Sequence, residues 1–174
     1  MNKTDILYER AQYLFQQMTK RFQDAGIPIP SDKINRNLRL SRATAKMGSC
    51  KKQNDRYTIS LSVYILEDEE SVRNTLAHEL VHTCERCMNH GAGFQRIGKM
   101  VEERLGIPVN RTATKEESER SGIKDVYRMK AGYRVRCENC GAVIYRQRKS
   151  ALIKHPERYQ CGNCGGRWIA EERG

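Results

Sequence analysis

Apolar residues recur at steps of three and four between Asp5 and Ala25, at Leu7, Ala11, Leu14, Phe15, Met18 and Phe22, which is the spacing of one helix face. Gly26 followed by Pro28 supplies a stop, so the pattern predicts a long amphipathic helix. Ile34 to Leu40 and Ala43 to Cys50 are short mixed segments compatible with strands. The period then changes to two: Tyr57, Ile59, Leu61 and Val63 alternate with Thr58, Ser60 and Ser62, predicting a strand with one buried face. Acidic residues from Glu67 to Glu70 precede the helical spacing of Val72, Leu76, Leu80 and Val81, where they suit the positive end of a helix dipole. That helix is predicted to run from Val72 through Met88, closed by Asn89 and Gly91. A third helix is predicted from Phe94 to Leu105, with Ile97 and Val101 on the same face and Gly106 and Pro108 at its end.

Residues 111–122 are polar and are read as a linker or an exposed helix, so they divide the chain into residues 1–122 and 123–174. Charge changes across that stretch. Residues 1–110 carry 17 basic and 13 acidic side chains, residues 111–174 carry 15 and 8, and the whole 174-residue chain has a formal charge of +11. A basic excess of that size favours a polyanionic partner, nucleic acid first, and says nothing about fold. No apolar run approaches the roughly 18 residues a bilayer span needs, and Met1-Asn2-Lys3-Thr4-Asp5 passes directly into the amphipathic pattern, so the expectation is a cytoplasmic protein with no membrane association, nucleoid-associated if bacterial.

Chemistry concentrates at two places. The second helix carries His78-Glu79-Leu80-Val81-His82, an H-E-x-x-H pattern in which residues four apart sit one above the other on one face, so both imidazoles can reach one zinc ion. Glu79 lies about 100° around that helix, where its carboxylate falls beside a metal and can deprotonate a bound water as general base. A catalytic zinc ordinarily takes three protein ligands and a water, so a third ligand is needed. The metzincin spacing fails, because Glu85 and Met88 stand where it requires Gly and His. His90 is the best candidate, since Gly91-Ala92-Gly93 lets the chain fold back, and Glu102 or Glu103 of the third helix are gluzincin-like alternatives. Cys84 and Cys87 sit about 200° and 140° around the helix from His82 and are read as small buried side chains. A thiol redox role for that pair is a remote alternative.

The second place is Cys137-Glu-Asn-Cys140 and Cys161-Gly-Asn-Cys164, a C-x-x-C-x20-C-x-x-C spacing that fits a closed structural zinc site and hence a β zinc ribbon. Gly141 and Gly165 follow each pair, as a tight knuckle with positive φ requires, and Ala142 to Arg146 is strand-like. Around the knuckles, Arg134, Arg136, Arg146, Arg148 and Lys149 are interleaved with Tyr145 and other Tyr residues, a combination suited to phosphates and to stacking on single-stranded or distorted DNA. Lys33 to Arg56, with eight basic residues, is a further candidate surface.

With Met47-Gly-Ser-Cys50, the strand from Tyr57, His78-Glu79-Leu80-Val81-His82, His90-Gly91-Ala92-Gly93-Phe94 and the four cysteines in place, the chain resembles the SprT-like zinc metallopeptidases, the Spartan-related family. The resemblance implies an α+β fold, a small zincin-like (minigluzincin) domain with a short sheet and an H-E-x-x-H helix, followed by the zinc ribbon. It supports His90 as the third ligand of a catalytic zinc, with one further structural zinc on the cysteines. It also implies an endopeptidase acting on DNA-associated or DNA-crosslinked proteins; the basic residues of the ribbon are expected to recruit it to DNA, and the chain is expected to be a monomer. The alternative is a nucleic-acid-binding regulator whose histidine zinc is purely structural, four-coordinate with protein ligands only.

Overall fold

The computed structural model describes residues 3–172. It is an α+β protein in two compact units, one ending at Ile123 and the other beginning at Lys124.

In the first unit, helix α1 (Lys3–Asp24) buries the stripe Ala11, Phe15, Met18 and Phe22. Gly26, at φ 66°, ends it with the paired bonds of a Schellman motif, Ile27 N to Phe22 O at 2.8 Å and Gly26 N to Gln23 O at 2.9 Å. Three strands follow: β1 (Arg39–Ser41), β2 (Gly48–Gln53) and β3 (Arg56–Ser62). Their order is β1-β3-β2, with β1 parallel and β2 antiparallel to the central strand. The period-two residues Tyr57, Ile59 and Leu61 are buried as their alternation requires, and Asn54 and Asp55, both at positive φ, close the tight β2–β3 hairpin.

Helix α2 (Glu69–Val81) lies against the inner sheet face and buries Val72, Leu76, Ala77, Leu80 and Val81. The predicted extension to Met88 does not form. Thr83 turns its hydroxyl onto the Leu80 carbonyl at 2.7 Å, its N–H bonds the same carbonyl, and Arg86 takes a left-handed φ of 59°, so the chain leaves the helix just after His82. Cys84 and Cys87 are buried in the same core. Helix α3 (Ala92–Leu105) buries Phe94, Ile97 and Val101 and ends at Gly106 with φ 65°.

The polar stretch 111–122 belongs to this first unit. Helix α4 (Lys115–Arg120) opens with a capping box between Thr114 and Glu117, Asn74 of α2 donates to Glu117 Oε1 at 2.8 Å, and Arg120 reaches Asp68 at 2.7 Å and Glu70 at 3.2 Å.

Helix α5 (Ile123–Lys130) leads into the second unit, where β4 (Tyr133–Cys137), β5 (Val143–Arg146) and β6 (Trp168–Glu172) form an antiparallel sheet of order β5-β4-β6. One face carries Val135, Cys137, Trp168 and Ile144 and is covered by Ile153 of the short helix α6 (Ala151–Lys154). No helix among the described residues is long and apolar enough to cross a membrane.

Candidate metal centres and active site

His78 and His82 leave the last turn of α2 on one face, and the turn beyond it brings His90 to them, just before α3 begins at Ala92. The Nε2 atoms converge: His78 to His82 at 3.1 Å and His78 to His90 at 3.0 Å. The far sides of two rings are fixed by backbone carbonyls, His78 Nδ1 on Asn110 O at 2.8 Å and His82 Nδ1 on Cys87 O at 2.6 Å. A carbonyl accepts only, so both Nδ1 atoms carry hydrogens and the neutral rings turn bare Nε2 lone pairs toward each other. Nor does a proton readily fill the gap, because burial, then the neighbouring imidazoles, hold His78 down to about 4, and burial first also lowers His82. Lone pairs aimed at one point call for a cation. The separations are close to the ~3.3 Å of imidazoles sharing a tetrahedral zinc, and the donor set fits that ion.

Phe94, one turn into α3, forms the floor: its ring centroid lies 4.9, 4.7 and 4.8 Å from those of His78, His82 and His90. Glu102 and Glu103 are exposed on α3, Glu103 beside Lys99 at 3.7 Å, and they do not join the cluster of ligand atoms.

Glu79 is 6% exposed. Burial raises its carboxyl to about 7, against the opposing pull of Lys46 and the Cys50 backbone. Strand β2 makes room for it. A side chain at Gly48 would bring its Cβ within 2.5 Å of Thr75 Cγ2 and 2.9 Å of Glu79 Oε1, so only glycine lets this edge strand pass so close to α2. Sequence reasoning did not find the parts played by the Asn110 and Cys87 carbonyls or by Gly48. A main-chain carbonyl has no residue signature, although the short Met47-Gly-Ser segment was a signal for the glycine.

In the second unit, Cys137, Cys140, Cys161 and Cys164 bring their sulfurs within 4.8 Å of one another, with Cys137 to Cys164 at 3.5 Å and Cys140 to Cys161 at 3.6 Å. Four thiolates around a zinc stand ~3.8 Å apart, so this set also fits. The two knuckles are alike: Gly141 N bonds Cys137 O and Gly165 N bonds Cys161 O, with φ 71° at both glycines. The Cys140 backbone N–H, and then that of Asn139 against burial, hold the Cys137 thiol below its ordinary value.

The basic side chains of this unit are less available than their number suggests. Arg134 and Arg136 both close on Glu171, at 2.7 and 2.6 Å. Arg128 lies over the Tyr145 ring at 5.9 Å, and the Tyr145 carbonyl accepts from Tyr127 and Arg146. Arg146, Arg148 and Lys149 make no ion pair among the described residues.

The model of the SprT-like family matches residues 11–114. Over 166 residues the chain is 25% identical to Protein SprT of Pseudomonas putida strain W619, covering 92% of this chain and 91% of that protein. Protein SprT of strain GB-1 gives the same figures.

Proposed function

The chain belongs to the SprT-like family, and from that premise we propose that it is a zinc-dependent endopeptidase of zincin-like fold, directed to proteins on DNA by its basic zinc ribbon. The observation that carries this is the three-imidazole cluster with its inward-facing lone pairs, set one residue from a buried carboxylate. His78, His82 and His90 would hold the catalytic zinc, and the four cysteines a structural one. Zinc in such a site supplies Lewis acidity, which polarises an amide carbonyl and makes water a usable nucleophile near neutral pH.

The rest falls to the protein's own groups. Glu79 Oε1 accepts the proton of the attacking water and returns it to the departing amine nitrogen, a task suited to a carboxyl held near neutrality. Asn110 and Cys87 keep the His78 and His82 rings oriented through their Nδ1 atoms. Strand β2 is a sheet edge beside Glu79, and its unpaired backbone groups suit an extended peptide lying across the site. Arg146, Arg148 and Lys149, with Tyr145, would engage DNA, and a protein held on that DNA then meets the site at high local concentration.

The test is cleavage of a DNA-bound basic protein by the full chain. 1,10-Phenanthroline stops cleavage and added zinc restores it, and single-stranded DNA accelerates it at low salt but not at high salt. Cleavage indifferent to chelation rejects the zinc mechanism; cleavage indifferent to DNA rejects the recruitment. Gly48→Ala should reduce cleavage about 100-fold by displacing Glu79, an effect of the size that misplacement by about 1 Å produces, while zinc content is kept. An unaltered rate would mean that the glycine is not needed to seat the carboxylate.

A further inference from the structure

The sheet of the first unit has a second face, turned away from α2. The register places Arg39 beside Ser60 and Ser60 beside Ser49, and further along Thr58 beside Lys51 and Arg56 beside Gln53. Every side chain in these rows is Ser, Thr, Gln, Arg or Lys. Arg39, Lys51 and Arg56 are exposed and make no ion pair among the described residues. Arg56 is nonetheless held in place: its Nε donates to Asn35 Oδ1 at 3.0 Å, and Asn35 Nδ2 donates to Thr58 Oγ1 at 2.6 Å. Asp55 in the adjoining turn is taken up by Lys33 at 2.5 Å and Lys52 at 3.2 Å. The exposed Arg36 and Arg42 of the segments leading to these strands add positive charge nearby and are likewise without an ion pair among the described residues.

We propose that this outer face of the β1-β3-β2 sheet is a nucleic-acid surface in its own right, one that takes the phosphate backbone of a duplex. Side chains on one face of a strand recur about every 7 Å, so cations and hydroxyls alternate over a flat area with no carboxylate among them. Guanidinium, ammonium and hydroxyl groups are the donors that bind phosphate oxygens and carry no sequence information. Binding to a single strand draws on stacking as well, and the aromatic of these strands, Tyr57, is buried on the inner side. The chemistry of the face therefore matches a duplex backbone. Positive charge is less compensated here than at Arg134 and Arg136, whose guanidinium groups share Glu171.

Strand β2 belongs to both sides of this sheet. Gly48 faces Glu79, whereas Ser49 and Lys51 face outward. A duplex on the outer face lies behind the strand that borders the carboxylate. The binding itself stands apart from the peptidase reading, because it is measured without turnover.

The experiment is fluorescence anisotropy of a labelled short duplex with the full zinc-loaded chain, titrated at several salt concentrations between about 50 and 200 mM. Replacing Arg39, Lys51 and Arg56 together by Gln should weaken duplex binding about tenfold or more and make the log–log salt dependence shallower by about 2 to 3. Replacing Lys20, Arg73 and Arg96 by Gln removes the same charge from helical surfaces and should change affinity by no more than about twofold. Equal losses in the two triple variants, or wild-type binding by the sheet variant, would overturn the proposal. So would a loss confined to single-stranded DNA, or capture of the protein by phosphatidylserine vesicles without duplex binding. Should the sheet variant fail to fold, Arg39→Gln and Lys51→Gln singly should each shift the slope by about 1, and no shift in either refutes the surface.

Discussion

Under the proposed mechanism, Glu79→Gln is expected to lower the rate of peptide cleavage about 1,000-fold or more while zinc content and thermal midpoint stay at wild-type values. Gln is close to isosteric with Glu, so it keeps the packing against Thr75 and Gly48 and still offers an oxygen beside the Cys50 backbone. It cannot hold a transferred proton. Unlike replacing a histidine ligand, the change leaves the imidazole cluster and its two carbonyl anchors intact, so it isolates one chemical step. The measurements are initial rates on a protein substrate, metal analysis of the purified variant and a thermal melt. A variant that cleaves at the wild-type rate removes Glu79 from the mechanism, and one that loses zinc as well shows that the carboxylate has a metal-binding role instead.

The second large effect is on stability. Chelating the cysteine site, or replacing Cys161 by Ser, should unfold the unit that begins at Lys124 while the helices of the first unit persist. Its main apolar cluster among the described residues is small: Val135, Cys137, Ile153, Cys161 and Trp168, two of them cysteines of the metal cluster. A unit of this size is near the limit for folding on apolar burial alone, and a structural zinc contributes about 10–16 kcal/mol of apparent binding free energy in small zinc peptides. Trp168 is the chain's single tryptophan and is 7% exposed, so its emission reports on this unit directly. Strong chelator should shift that emission to the red, with most of the helical circular dichroism retained. An emission maximum that does not move would show that the second unit holds together without metal.

Local periodicity foretold the elements around the histidines. The three-and-four spacing of α1 and α3 and the alternation of β3 each put one stripe into the core, and burial follows the stripe. The four-residue spacing of His78 and His82 is a helix property and survives in the structure for that reason. What escaped the sequence depends on contacts distant along the chain or on backbone conformation. The end of α2 is set by the Thr83 hydroxyl and a left-handed arginine, neither of which interrupts the hydrophobic pattern. Residues 111–122 were legible as a linker or an exposed helix, and α4 is such a helix, but its bonds to Asn74 and Asp68 were not, because those partners are some 40 to 50 positions earlier. Arg134 and Arg136 looked free for phosphate because Glu171 meets them only through the β4–β6 register, which a count of basic residues does not contain.

Phe94 gives the histidine site a further property. Its ring packs against all three imidazoles, and two of them are also pinned from behind by backbone carbonyls, so the protein's own packing sets how the rings are turned. Rings oriented in this way lower what an incoming ion must order. The two sites would then ask different things of their metals: chemistry at the histidines, and cohesion of a small apolar cluster at the cysteines.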